Sequence, residues 1–422
     1  MKKILVISRG AWNNNNSIGN TLNNLFSSAE GCEFYNVYMR SELPGEHPCR
    51  SIYRISEGDL IRSLKSFKQA GEIHLSDGPI IDREREESLY SSFQNRNLYS
   101  LWFLRDLLWL IGRWRKKLEN YINEIKPEVI FMPVFGCVYA HRVLNIIHKV
   151  SNAKVVLFHA DDHYTLKHRN YSPLFWIYRF WLRFWIRRSV KLSSINYCIS
   201  DIQISDYNRC FNIPCKLLQK FGDFSDDMPT YNISYPINMT FTGNMECGRW
   251  KSLSMLAEAI GRINSEAGSI RCTLNIYSAT KLLPQEVKLF DNKAGVSLCG
   301  FVPSTMIPSI QSQADILIHV ESFDYSDKLK VRQSFSTKIV DYLTKGKCIL
   351  AVGPSDVASI QYFQKYDSGF VIDRPDIIYP KLIQLINDES LMTVYAQQAW
   401  ECGYNNNNYH KRDEFIQTLM NL

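Results

Sequence analysis

From residue 239 onward, short runs of Val, Ile and Leu alternate with stretches of helical spacing, and that alternation leaves few folds open. The runs are MTFTG (Met239–Gly243), TLNIYS (Thr273–Ser278), VSLCGF (Val296–Phe301), DILIHV (Asp315–Val320), CILAVG (Cys348–Gly353) and GFVI (Gly369–Ile372). Predicted helices fall between most of them: Ser252–Ile263, Ser304–Gln313, Ser336–Lys345 and Ser355–Gln364. Short strands that are apolar on both faces are buried on both faces, as in parallel sheets covered by helices. The strand–helix–strand order then implies right-handed crossovers and a doubly wound domain. The first half repeats the pattern in ILVIS (Ile4–Ser8), VIFMP (Val129–Pro133), KVVLFH (Lys154–His159) and INYCIS (Ile195–Ser200), with a helix around Val138–His148. At 422 residues the chain exceeds one ordinary core. The fold class is therefore α/β, with two Rossmann-like doubly wound domains, 1–225 and 226–400, and a closing segment 401–422. They join in the polar, strand-poor stretch Phe221–Tyr235. Glu30–Tyr99 has little periodicity and reads as loops.

The net charge of +7 is modest. It suits an anionic ligand or membrane surface and does not single out nucleic acid. Eleven cysteines, an odd number without a CxxC pair, argue for a reducing compartment and against a disulfide framework or a zinc site. The apolar run of MKKILVIS stops at Ile7, too soon for a secretory signal, and no run is long enough to span a membrane. The expected location is cytoplasmic.

Ligands of doubly wound sheets bind beyond the carboxyl ends of the strands, so the candidate residues are those that follow each strand. After the first strand, Ser17, Ile18, Gly19 and Asn20 open a helix, either an ordinary turn or a cradle of backbone N–H groups for an anion. After Phe241, Gly243 and Asn244 form a turn, and Arg249 and Lys251 stand just ahead of a helix. They are two solvated cations or the grip for a diphosphate. After Val320 comes Glu321. A polar loop leads to Ser336, an N-cap candidate, with Thr337 and Lys338 behind it. Asp341, one turn on, is placed to bind a ribose or to complement the helix end. His159, Asp161 and Asp162 end a strand in the first half, where they can cap a turn or meet sugar hydroxyls as acid or base. Adjacent carboxylates are a weak metal signal, and no metal or other cofactor is expected.

TGNMECGRWKSL, CGFVPSTMIPSIQSQADILIHVESF and FSTKIVDYLTKGKCILAVGP, in this order and spacing, resemble the bacterial group 1 (family 4) retaining glycosyltransferases, closest to those of capsule and O-antigen biosynthesis. The resemblance covers about Ile195–Ile372 and, loosely, the first strand and its loop. It implies the GT-B fold, two domains facing each other across a cleft, with the acceptor on the first and a nucleotide sugar on the second. It also implies that the segment after Glu401 crosses back to the first domain. By position it sets Gly19 near the donor phosphates, Arg249 and Lys251 on the leaving diphosphate, Gly300, Phe301 and Val302 at the base, and Asp341 at the ribose. The family's Glu-seven-residues-Glu motif is broken: its first Glu falls near Gln333. Glu321 or a residue of the loop Phe323–Arg332 is the expected substitute.

Two segments carry a further expectation. In PLFWIYRFWLRFWIRRSVK (Pro173–Lys191), Arg179, Arg183 and Arg187 fall four apart, and Phe180, Trp181, Phe184 and Trp185 fill the remaining face. Ser172 and Pro173 would start this helix. Leu101–Lys117 is similar in character. Both suit either a bilayer interface or core packing. The expected partners are a nucleotide-sugar donor, a saccharide or lipid-linked saccharide acceptor, and the inner membrane surface through Phe175–Lys191. Two other readings remain open: a non-catalytic scaffold or binding protein of the same fold, supported by the missing Glu, and another GT-B enzyme such as a sugar-nucleotide epimerase. Nucleic acid is disfavoured, because the basic residues cluster with aromatics.

Overall fold

A computed structural model describes residues 1–13, 17–26, 29–75, 99–224 and 227–422, Ser17 by its backbone alone. The chain forms two compact units, Met1–Lys220 with Arg412–Leu422, and Phe221–Lys411.

Unit 1 opens with β1 (Lys2–Ser8), α1 (Ser17–Phe26), β2 (Cys32–Tyr38), β3 (Cys49–Arg54), α2 (Glu57–Ser66) and β4 (Glu72–Leu75). It continues with α3 (Tyr99–Ile111), α4 (Arg115–Ile125), β5 (Val129–Pro133), α5 (Val138–Ser151) and β6 (Lys154–His159). Then come α6 (Pro173–Leu192), β7 (Ser193–Cys198), α7 (Asp201–Phe211) and β8 (Cys215–Leu217). The eight strands lie in the order β4-β3-β2-β1-β5-β6-β7-β8, parallel except for β4, which runs antiparallel to β3. The order reverses between β1 and β5, whose register sets Ile4 opposite Val129.

The stretch Glu30–Tyr99, expected as loops, instead holds β2, β3, α2 and β4; its residues 76–98 lie outside the described residues. Polar side chains inside these strands hide their apolar pattern. Asn36 in β2 is fully buried and donates to Val6 O at 2.9 Å and Ser8 Oγ at 3.0 Å. Arg54 closes β3, buried, and pairs with Glu72 of β4 at 2.9 Å.

Unit 2 runs through β9 (Ile237–Thr242), α8 (Arg249–Ala267), β10 (Cys272–Tyr277), α9 (Pro284–Val287) and β11 (Val296–Gly300). Next are α10 (Ile307–Ser312), β12 (Ile316–Val320), α11 (Tyr325–Val331), α12 (Lys338–Leu343) and β13 (Cys348–Val352). α13 (Ala358–Tyr366), β14 (Phe370–Ile372), α14 (Ile378–Ile386) and α15 (Glu389–Asn406) finish it. Its sheet is wholly parallel, in the order β11-β10-β9-β12-β13-β14. The order reverses between β9 and β12, which marks the crevice where doubly wound sheets bind ligands. Met239, Leu253, Ile260, Ile318 and Leu350 lie in the core beneath.

The last helix, α16 (Tyr409–Met420), sends Phe415, Ile416 and Leu419 into the core of unit 1. Phe415 packs on Phe26, Phe131 and Tyr197, with ring centroids 5.8, 6.0 and 5.4 Å apart.

Candidate functional site

The crevice of unit 2 is built from the turns after β9 and β12 and from the first residue of α12. Gly243 follows β9 and donates its N–H to Tyr277 O at 3.0 Å. Cys247 and Gly248 both adopt left-handed backbone, φ 53° and 74°, and so turn the chain into α8. A side chain on Gly248 would collide with the Asp327 carboxylate and lie 2.6 Å from Ser322 Oγ, so the close approach requires glycine. The first N–H groups of α8 are spent locally, Arg249 N on Glu246 O, Trp250 N on Met245 O and Lys251 N on Gly248 O. The helix end therefore offers side chains rather than free backbone donors.

Arg249 and Glu321 form a fork. Nε lies 3.1 Å from Oε2 and Nη2 lies 3.0 Å from Oε1. Nη1 reaches Asn244 Oδ1 at 2.8 Å. A guanidinium has five N–H donors; three are used, leaving one on each terminal nitrogen. Glu321 is 2% exposed and also receives Ser359 Oγ at 3.5 Å. Burial pushes its carboxyl pKa up, and Arg249 pulls against that shift. Burial works against the charge of Arg249, but the contact with Glu321 outweighs it and holds its pKa above the ordinary value. A bidentate pair of this kind favours the charged form of each partner. The imidazole of His319 lies 3.6 Å from Glu321 Oε1, with Nε2 buried and without a hydrogen bond. Its pKa is driven down to about 3 by burial and then by Arg249 and Lys338.

Lys338 completes the group. Its ammonium lies over Gly243, where a side chain would collide with it. Burial, and then the neighbouring Arg249, push its pKa down to about 8, opposed by Asp341 and Glu321. Among the described residues it forms no ion pair.

Lys251, expected beside Arg249, points elsewhere. Residues two apart on a helix are about 200° apart around its axis and cannot face one ligand together. Lys251 Nζ instead meets Asp327 at 3.3 Å and Asp324 at 3.5 Å. With Lys328 on Asp356 at 2.9 Å, it anchors the loop Phe323–Arg332 that carries α11, while Lys330 meets Asp327 within α11 at 2.8 Å. Ser336 is not the N-cap. Thr337 occupies that place, with αR backbone and no side-chain cap, and α12 is only six residues long. Asp341 is half-buried on α12, one turn after Lys338. Phe301 is 73% exposed and Val302 half-buried, just past Gly300, whose φ of 74° ends β11. Ser359 gave no signal in the sequence, since a serine inside a helix has no pattern of its own.

In unit 1 the expected residues do not converge. His159 is fully buried, with Nε2 3.3 Å from Asn196 Oδ1 and its ring edge-on to Tyr207 at 4.8 Å. Burial drives its pKa down to about 3, and it has no access to a sugar. Asp162 is structural: it accepts from Tyr164 N, Thr165 N and Thr165 Oγ1, and Arg179 sits 3.2 Å away. Asp161 is exposed, its carbonyl accepting from Gln203 Nε2 at 3.2 Å. Gly19 is buried in the first turn of α1, where the backbone of Asn13 occupies the place of a side chain; the glycine closes its own loop. The N-terminus of α5 is filled from within: Asp106 Oδ1 accepts from Tyr139 N at 2.7 Å and Tyr178 from α6 bonds Asp106 Oδ2 at 2.6 Å.

The arginine stripe of α6 faces the loop 162–165, from buried Arg179 through half-buried Arg183 to exposed Arg187. Arg179 is buried against Asp162 and Thr165 O, Arg183 donates to Tyr164 O at 2.5 Å, and Arg187 bonds Tyr164 Oη. Ser172 stands at the N-cap without a side-chain bond, followed by Pro173. The outward row is apolar: Leu174, Ile177, Phe180 and Phe184 are exposed. α3 packs alongside, with Phe103 stacked on Trp181 at 6.0 Å, and exposes Leu104, Leu107, Leu110 and Ile111. Among the described residues no helix is long and apolar enough to cross a membrane. No group of three or more His, Cys, Asp or Glu among them could hold a metal ion.

No family model matches the chain, and no curated protein matches it in sequence. Solved structures do match over its whole length. A sucrose-phosphate synthase from Thermosynechococcus elongatus superposes with a TM-score of 0.63 at 12% identity, covering 100% of this chain and 98% of its own. HepE of Anabaena in complex with UDP gives 0.64 at 13% identity, covering 100% of both chains. WaaG, a glycosyltransferase involved in lipopolysaccharide biosynthesis, gives 0.57 at 11% identity, covering 99% of both. The chain thus has the α/β fold of two Rossmann-like units that these glycosyltransferases share, the GT-B fold.

Proposed function

We propose that this protein is a glycosyltransferase that moves a sugar from a nucleotide-sugar donor, UDP-linked in the first instance, to a saccharide acceptor. One observation carries the reading: Arg249 and Lys338 converge at the point where the strand order of unit 2 reverses. Support comes from a fold shared over the full chain with HepE, a protein solved with UDP and with UDP-glucose. Breaking the anomeric bond builds positive charge on the sugar and negative charge on the diphosphate. Arg249 and Lys338 would stabilise that leaving anion without a metal, and a water-excluding site would limit hydrolysis. Asp341 would take the ribose, and the Phe301–Val302 segment the base. Retention of anomeric configuration belongs to the same reading.

The finer assignment is a lipid-linked acceptor in surface polysaccharide biosynthesis, met at the inner face of the cell membrane. What favours it is the apolar rows of α3 and α6, which end in Arg113, Arg115, Lys116, Arg188 and Lys191, all exposed. Apolar surface with basic ends suits an anionic bilayer interface.

A second reading, a non-catalytic protein of the same fold, has its own observation. The first acidic position of the family motif is Gln333, and Glu321 is engaged by Arg249. A thermal-shift screen against UDP, GDP, ADP and CMP ligands, with and without magnesium, tests the main reading. A ligand at about 100 times its dissociation constant adds roughly 2.7 kcal/mol of stability. We expect one nucleoside diphosphate to raise the melting temperature and Arg249→Ala to abolish the shift. No shift with any of them in folded protein moves the assignment to the second reading.

A further inference from the structure

We infer that Glu321 is a positioning residue for the donor diphosphate: it aims the guanidinium of Arg249 beside the ammonium of Lys338, and it does not itself meet the sugar. The inference rests on the donor site proposed above and gives Glu321 a role different from the catalytic one its place after β12 suggests.

The geometry decides between those roles. A carboxylate that acts on a sugar needs an oxygen open to it. Both oxygens of Glu321 are taken, Oε2 by Arg249 Nε at 3.1 Å and Oε1 by Arg249 Nη2 at 3.0 Å and Ser359 Oγ at 3.5 Å, and the residue is 2% exposed. The fork fixes both the place and the plane of the guanidinium, because a single hydrogen bond would leave it free to rotate. The two unused N–H groups, one on each terminal nitrogen, are then held on the side away from Glu321. Among the described residues Nη1 is steadied only by the neutral Asn244 amide oxygen at 2.8 Å, a contact a phosphate oxygen can replace. Lys338 lies over Gly243, the residue next to Asn244, and can do so because Gly243 has no side chain. Without the Glu321 carboxylate, Arg249 and Lys338 would repel each other with only Asp341 still favouring the charged lysine.

The test is titration calorimetry of the full chain with UDP and inorganic pyrophosphate, beside uridine binding followed by NMR. Glu321→Ala is avoided because it strands a buried charge. Glu321→Gln keeps the shape but presents an amide N–H to one arm of the fork. We expect Glu321→Gln to bind UDP and pyrophosphate at least tenfold more weakly, with uridine binding unchanged. Pyrophosphate affinity of the wild type should fall as pH rises through about 8, where Lys338 loses its proton. In Glu321→Gln that fall should begin at lower pH, because one of the two carboxylates that favour the protonated lysine is gone while Asp341 remains. A merely structural role would weaken uridine equally and leave the pH profile in place. Arg249→Lys keeps the charge without the fork and should lose at least tenfold as well. Wild-type pyrophosphate affinity in either variant overturns the inference and leaves the proposed function standing. A wild-type protein that binds neither UDP nor pyrophosphate overturns the proposed function itself.

Discussion

Lys338 is destabilising where it stands and is placed where an anion would make it favourable. Its pKa of about 8 is below the ordinary lysine value of 10.5, chiefly through burial and then through Arg249. A folded-state pKa below the unfolded one means that the unfolded chain binds more protons between the two values. Stability should therefore rise as pH increases from about 8 towards 10.5, because the cost of the buried charge is present below that window and disappears through it. Lys338→Met should be at least as stable as wild type in urea unfolding at pH 7, and should bind UDP more than tenfold more weakly by calorimetry. A variant that binds UDP normally removes Lys338 from the site. The strand-end rule found Arg249, Glu321 and Lys338 in the sequence but could not sort their partners. Lys251 looked equivalent to Arg249 because the two are close in sequence, and a two-residue step around a helix sets them on opposite sides. His159 ends a strand as an active-site histidine would, yet nothing in the sequence shows that Asn196 and Tyr207 seal it in.

Periodicity reveals that a helix has two faces without saying which one turns inward. In α6 the arginine spacing was legible, but the charged stripe faces the loop 162–165, Trp181 and Trp185 pack on the core, and Phe180 and Phe184 face out. The reason is local: Asp162 and the carbonyls of Tyr164 and Thr165 give the guanidinium groups partners that water would otherwise supply. The exposed apolar rows lead to a measurable outcome. The protein should co-sediment with vesicles containing anionic lipid and much less with neutral ones, and replacing Ile177, Phe180 and Phe184 together by Ser should abolish co-sedimentation without lowering the melting temperature. Binding that survives the triple variant would place any membrane contact elsewhere. The strands with uninterrupted apolar runs were legible to within about two residues at their ends. β2 and β3 were not, because Asn36 and Arg54 are polar residues satisfied only by partners distant in sequence.

At the scale of the whole molecule, the first unit is discontinuous and the second is not. Residues 221–411 form one compact body, whereas residues 1–220 are completed by 412–422. Phe415→Ala should cost about 3–5 kcal/mol of stability in unit 1, the usual price of emptying a buried phenylalanine site. Denaturation followed by tryptophan fluorescence reports mainly that unit, since all tryptophans except Trp250 and Trp400 lie there. UDP affinity should stay within about twofold of wild type at temperatures where the variant is folded. A loss of UDP binding alongside retained stability would show that α16 matters for the crevice rather than for the first core.

This interrupted layout also governs how such chains can be recombined. A crossover that exchanges residues 221–411 carries over an entire sheet together with Arg249, Glu321 and Lys338, and returns to the original gene in time for its own Phe415. A single crossover after residue 220 brings a foreign tail to Phe26, Phe131 and Tyr197. Lineages that trade second units are therefore expected to do so as an internal cassette, with the final helix inherited with the first unit.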